Sequence, residues 1–335
     1  MNTCFEGLDG LWGKEGDVDL FLEGPDEIRL YGALREKVGL LICQHQETLE
    51  VHGKDSADFL QRMTSQDCLG MEVGSGGPAC LMTGKGKLIA FFDLFRTRED
   101  AFLLLGQGAW MGKVREHLDL FHFREEMTLG PVQKICSLGL FGKALPGEIP
   151  EAGFFQVGKM GSLEVLGLGG WLVPACLLLG KEAELKLFFE SFVEKGQPFG
   201  GFHAWEGLRI DSRLPRLGVD ADESNIPLEV RLDPACHPEK GCYVGQEVVA
   251  RIRNLGHVNR LLCLLCGESE ELPMKGSLLF DEDLEAGRVT SAFRVPGKKE
   301  VHMLALLPRV LAAPGTKLCL GNEAGPSFEV KDPAA

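Results

Sequence analysis

The chain has no run of about 18 apolar residues, so no membrane-spanning helix is expected. It also lacks a surplus of positive charge: 35 Lys and Arg stand against 49 Asp and Glu, a formal net charge of −14. Nucleic acids and anionic membranes are held by positive fields, so general binding to either is excluded. A small basic pocket for an anionic ligand is still allowed. The first 30 residues contain Glu6, Asp9, Glu15, Asp17 and Asp19 and no basic-then-apolar block. A secretory signal and an acid-poor mitochondrial presequence are therefore not expected, and the expected location is the cytoplasm. The 11 cysteines are odd in number and scattered, which is no disulfide framework. The tightest pair, Cys263 and Cys266, has no second pair or histidines at ligand spacing, so no metal site is expected. Its flanks, "RLLCLLCGE", read as a buried strand with the two thiols on opposite faces. A G-x-S-x-G elbow, a P-loop and a dinucleotide fingerprint are all missing. His203 and His257 stand alone, as ordinary surface or core histidines do.

What is present is an ordinary globular balance, 44% hydrophobic and 25% charged, over 335 residues. That length implies two or three domains. "GLLICQHQETLEVHG" offers two strand-like runs, and "KDSADFLQRMTSQDC" a helix capped by Asp55 or Ser56. "LIAFFDLFR", "AFLLLG" and "KICSLGLFG" have strand length, and "LEVLGLGGWLVPACLLLG" reads as a hairpin. Trp110, Val114, Leu118 and Phe121 fall at helical spacing, as do Leu185, Phe188, Phe189 and Phe192. Both stripes are expected to be core. "FHAWEGLRIDSRLPRLG" begins a third helix, and from Asn259 onward short apolar runs between turns fit a small all-β domain. The pattern is α+β, with a ferredoxin-like module of strand pairs and helices.

The stretch "EKGCYVGQEVVARIRNLGHVNR" breaks the acidic trend. Gly241 and Gly245 permit positive φ and close backbone approach. Lys240 beside Cys242 would favour a thiolate. Tyr243 offers a ring for stacking, Gln246 an amide, and Arg251 and Arg253 fixed cations suited to carboxylates.

"KGCYVGQE" resembles the signature of the YgfZ family, a folate-binding branch of the aminomethyltransferase (glycine-cleavage T-protein) superfamily. "LEVHGKDSADFLQRMTSQD", "TGKGKLIAFFDLFR" and "WEGLRIDSRLPRLGVDADESNIPLEVRL" are similar to further family segments and stand in family order. The resemblance implies three lobes around an opening that holds tetrahydrofolate, with a C-terminal β-barrel. The expected division is residues 1–85 plus 200–256 as a folate-binding core, 86–199 as the ferredoxin-like lobe and 257–335 as the barrel. It further implies an accessory role in iron–sulfur cluster assembly or repair, with iron–sulfur client or assembly proteins as partners and Cys242 as the working thiol.

The alternative is a folate-dependent aminomethyltransferase. Those enzymes resemble one another around "GGIxDD", and here the Asp positions hold Ala90 and Phe91, which carry no charge. Asp93 lies two residues on and, as a strand neighbour of Phe91, would face the same side. Folate demands an aromatic face, a carboxylate for the pterin N–H groups and cations for its glutamate tail. Trp205 matches a family tryptophan linked to folate. Asp211 and Glu229 are the carboxylate candidates, and Arg251, Arg253 and Lys240 the cations for the tail. A second family tryptophan is replaced near the first strand by His45 or Gln46.

Overall fold

The computed structural model describes residues 5, 8, 10–15, 18–108, 110–145 and 155–331. Two open six-stranded sheets and one closed six-stranded barrel make up most of it. The first sheet runs in the order Val157–Met160, Leu163–Leu168, Ala175–Leu179, Ser137–Phe141, Gly39–Cys43, Phe199–Gly200. Neighbours are antiparallel except the last pair. The second sheet orders Gly76–Met82, Leu88–Arg98, Ala101–Gln107, Gln46–His52 and Thr128–Leu129, with Gln133–Lys134 also paired to Gln46–His52. The barrel closes through Arg260–Glu268, Glu300–Pro308, Leu284–Arg294, Leu278–Asp281, Lys317–Leu320 and Ser327–Lys331. The expected α+β class with a C-terminal barrel is what the chain adopts. The segment expected to form one ferredoxin-like lobe supplies strands to both open sheets.

The switch between sheets is made by two residues. The chain leaves the first sheet at Cys43 and enters the second at Gln46, with Gln44 and His45 buried between. Gln44 satisfies the crossing by accepting from the Phe21 amide at 2.8 Å, and the Gly108 amide donates to the His45 carbonyl at 2.7 Å.

Among the described residues six α-helices flank these sheets: α1 (Glu27–Glu36), α2 (Ser56–Met63), α3 (Met111–Asp119), α4 (Glu182–Glu194), α5 (Phe202–Asp211) and α6 (Gln246–Leu255). α4 buries Leu185, Phe189 and Phe192 against the first sheet, as the apolar spacing requires. α3 buries Met111, Val114 and Leu118, but its stripe stops before Phe121, which is 45% exposed beyond the helix end. Alternation works as expected on Arg260–Glu268: Cys263 faces the barrel core and Cys266 packs outward against the main core.

α5 is the keystone. Arg209 on it is fully buried, and each arm of its guanidinium is used. It donates to Glu206 through Nε at 3.1 Å and Nη2 at 2.7 Å, to Asp220 at 2.7 Å, to the Leu214 carbonyl at 2.6 Å and to the barrel's Ser291 at 2.9 Å. Two residues on, Asp211 joins three parts of the chain. It accepts from Tyr31 of α1 at 2.7 Å, pairs with Arg35, and meets His302 of the barrel at 2.5 Å. Removing one partner from such a buried network strands the other charges, which costs about 3–5 kcal/mol. Arg209→Ala is therefore expected to lower unfolding free energy by about that much. A denaturant titration that finds a loss under ~1 kcal/mol would contradict this account of the lobe junction.

Candidate functional site

An apolar cavity of about 170 Å³ lies where the two open sheets, α5 and the chain before the motif loop converge. An engineered void of about 150 Å³ takes up benzene, so this volume suits a one- or two-ring ligand, with any tail leaving by the mouth. Its aromatic wall is Phe91, Phe155, Trp171 and Trp205. The two indoles meet edge to face at 5.7 Å, and His45 packs on Trp205 at 4.2 Å. Burial, with Arg216 and Arg209 nearby, pulls the His45 imidazole down to about 3, so at neutral pH it is an uncharged spacer behind the indole.

The polar groups in the wall are few. The alternation of Leu88–Arg98 buries Ala90, Phe92 and Leu94 and turns Phe91 and Asp93 to the other side, into the cavity. Asp93 has no hydrogen-bonding or ionic partner among the described residues, and burial alone pushes its carboxyl up to about 7. Asp93 is half-buried; the Trp205 Nε1–H and the Gln107 Oε1 are also without partners, and both atoms are buried. Arg231 also lines the cavity. Its backbone sits in the left-handed region at φ 63°, which an L-residue adopts at some cost, and Nε donates to the Leu262 carbonyl at 3.1 Å. A cavity that sets one unpaired carboxylate among aromatic rings is complementary to a flat ring whose edge donates N–H groups.

Of the residues expected to hold folate, Trp205 lines this cavity. The others lie outside its wall. Asp211 is consumed by Tyr31, Arg35 and His302, which hold its carboxyl below the usual range against the effect of burial; its partnership with Asp211 pushes His302 up to about 10. Glu229 caps its own turn, accepting from the Ile226 amide at 3.2 Å and from Asn225 at 3.4 Å. Arg251 and Arg253 are exposed on α6, and Arg253 donates to the Asp233 carbonyl at 2.7 Å. Gln246 accepts from the Tyr243 amide at 3.2 Å, and Tyr243 packs on the main core.

Lys240 does not stand free to activate a thiol. Its ammonium donates to the carbonyls of Gln61, Thr64 and Gln66 at 2.6, 2.5 and 2.7 Å and lies 4.9 Å above the Tyr243 ring. The C-terminal carbonyls of α2 are a natural seat for a cation, and burial there lowers its pKa to about 8. Cys242 is exposed on the loop that follows and is not part of the cavity wall.

Gly245 shows why the motif needs its second glycine. It ends the loop at φ 86°, and a Cβ there would lie 2.7 Å from the Thr83 carbonyl oxygen, in the turn that feeds the Asp93 strand. The motif loop thus rests directly on the cavity's β-hairpin.

No family model matches the chain. Curated relatives do. It is 24% identical over 307 residues to an aminomethyltransferase of Chlorobium luteolum, covering 85% of this chain and 83% of that protein. An aminomethyltransferase of Bacillus licheniformis is 22% identical over 300 residues, covering 84% and 82%. The crystal structure of glycine cleavage system aminomethyltransferase T from Bartonella henselae superposes with a TM-score of 0.85 at 18% identity, covering 98% of this chain and 95% of that one. The fold is aminomethyltransferase-like. On it, the cavity carboxylate is Asp93, two positions beyond Phe91.

Sequence reasoning weighed Asp93 but missed Trp171, Arg231 and Gln107. Trp171 follows the Gly169–Gly170 turn of the expected hairpin, and an aromatic at a glycine turn was the available signal. Nothing in the local sequence marks Arg231 or Gln107.

The Asp93 environment makes a pH prediction. Well below about pH 4 the carboxyl is protonated folded and unfolded, and costs nothing. Between about 4 and 7 the unfolded chain ionises first, so this group's contribution falls as pH rises through its folded value. Asp93→Asn removes that loss. The variant is expected to gain roughly 2–4 kcal/mol relative to the parent between pH 4.5 and pH 8.5 in denaturant titrations. A difference that stays constant with pH would contradict the desolvated, unpaired carboxyl.

Proposed function

We propose that this protein binds a reduced folate in the cavity walled by Trp205 and Trp171, with Asp93 accepting from the ring's N–H groups. The observation that carries this is the carboxylate left without a partner inside an apolar, indole-walled cavity of an aminomethyltransferase-like fold. An unpaired carboxyl costs stability unless a ligand supplies its donors. The Trp205 and Trp171 rings would pack against the ligand ring, and Arg231, also in the lining, would neutralise the ligand's anionic end. Bound tetrahydrofolate supplies a one-carbon acceptor; the chain's own residues orient its ring and keep water from Asp93.

Cys242 stands outside that cavity on an exposed loop, where a partner macromolecule can reach it. This supports the reading drawn from the motif: an accessory protein for iron–sulfur cluster assembly or repair whose thiol meets a client or assembly protein. One thiolate is too few ligands to hold a cluster, which needs about four. The role is therefore that of a helper.

A second reading has its own observation. Asp93, held near neutrality, is able to give or take a proton in the cavity, as a folate-dependent aminomethyltransferase requires. Turnover with tetrahydrofolate and an aminomethyl donor, abolished in Asp93→Asn, would establish that reading over the helper role.

Calorimetry with 5-formyltetrahydrofolate tests the shared claim. Asp93→Asn and Trp205→Ala are each expected to weaken binding about tenfold or more, which is ~1.4 kcal/mol, and Arg251→Ala to leave it unchanged. Binding that survives both cavity variants and falls with Arg251→Ala would move the ligand to α6.

A further inference from the structure

A second pair of reactive groups lies just behind the cavity wall and takes no part in the ligand reading. Ser65 brackets two distant stretches of backbone. Its hydroxyl accepts from the Cys80 amide at 2.8 Å and donates to the Ala235 carbonyl. Its own amide donates to the Cys80 carbonyl at 3.0 Å, and its carbonyl accepts from the His237 amide at 2.9 Å. These four bonds press the strand Gly76–Met82 against the turn Asp233–Ala235 and bring Cys80 and Cys236 together, each thiol influencing the other's ionisation. Both thiols are buried in the main core. Their neighbours Ala79 and Ala235 line the cavity, so a small neutral molecule there is one residue away from the pair. Arg253, anchored on the Asp233 carbonyl, brings a cation to the same turn. The neighbouring Cys80 thiol and the charge of Arg253 lower the Cys236 pKa, while burial raises that of Cys80.

We propose that Cys80 and Cys236 form a redox-active dithiol, which hydrogen peroxide closes to a disulfide joining the cavity strand to the chain that leads into the Cys242 loop. The Cys236 thiolate attacks one peroxide oxygen and the O–O bond breaks. A sulfenic acid forms, and the released hydroxide leaves as water with the proton from the Cys236 thiol. The Cys80 sulfur then displaces the hydroxyl from that sulfenic acid, and a second water leaves with the Cys80 proton. Two thiols lose two electrons, and the peroxide gains them. The bridge changes the cavity wall at Ala79 and Ala235 and fixes the start of the motif loop, so the redox state of the pair reaches both functional regions.

The test is peptide mapping of the full chain after hydrogen peroxide, with free thiols blocked by N-ethylmaleimide and no reductant. The expected result is a cross-linked peptide pair joining positions 80 and 236, reversed by dithiothreitol. It persists in Cys242→Ser and is lost in Cys236→Ala. The parent chain decides the matter even where the Cys236 variant fails to fold. If an exposure that fully oxidises Cys242 leaves Cys80 and Cys236 alkylatable after unfolding, or cross-links Cys242 to either of them, the proposal is overturned.

Discussion

The buried guanidinium of Arg209 is the constraint on which the rest of the molecule depends. It ties α5 to the following loop through Leu214 and Asp220 and to the barrel through Ser291. Trp205 lies one turn earlier on α5, at the spacing that shares a helix face. Fixing Arg209 therefore fixes the indole that walls the cavity. Asp211, near the end of the same helix, adds α1 and a second barrel strand to the junction. The charges are costly to bury, and their return is specificity of arrangement: three parts of the chain meet in one geometry because each donor has one place to go.

With the frame set, the cavity holds the opposite economy: polar groups placed without partners. Asp93, the Trp205 N–H and the Gln107 oxygen are each desolvated and unmet. The same fold satisfies Asp211, further along α5 from Trp205, three times over. That contrast separates a structural carboxylate from a ligand-reading one more clearly than residue type does. The exposed Cys242 forms a second centre, connected to the first through Gly245, which rests on the turn feeding the Asp93 strand.

Much of this was legible in the sequence. The strand runs, the helical stripes of α3 and α4, the outward and inward cysteines of the first barrel strand and the position of Trp205 on α5 all follow from local periodicity. The carboxylates were harder, because sequence shows a group's chemistry and not its partners. Asp211 and Glu229 carry the right functional group, but long-range partners and a local cap consume them. Lys240 sits two residues from Cys242 in sequence, yet the carbonyls at the end of α2 claim its ammonium. The division of residues 86–199 between two sheets was hidden for the same reason: the strands were visible, and their pairing is a matter of distant register. Arg231 reaches the cavity through a left-handed backbone position that no composition signal announces.

The most direct measurement of the central claim is a crystal structure of the chain with 5-formyltetrahydrofolate. The account predicts the ring seated against Trp205 and Trp171, with an Asp93 oxygen within hydrogen-bonding distance of a ring nitrogen. A ligand lodged elsewhere, with the cavity closed over an unpaired Asp93, would contradict it.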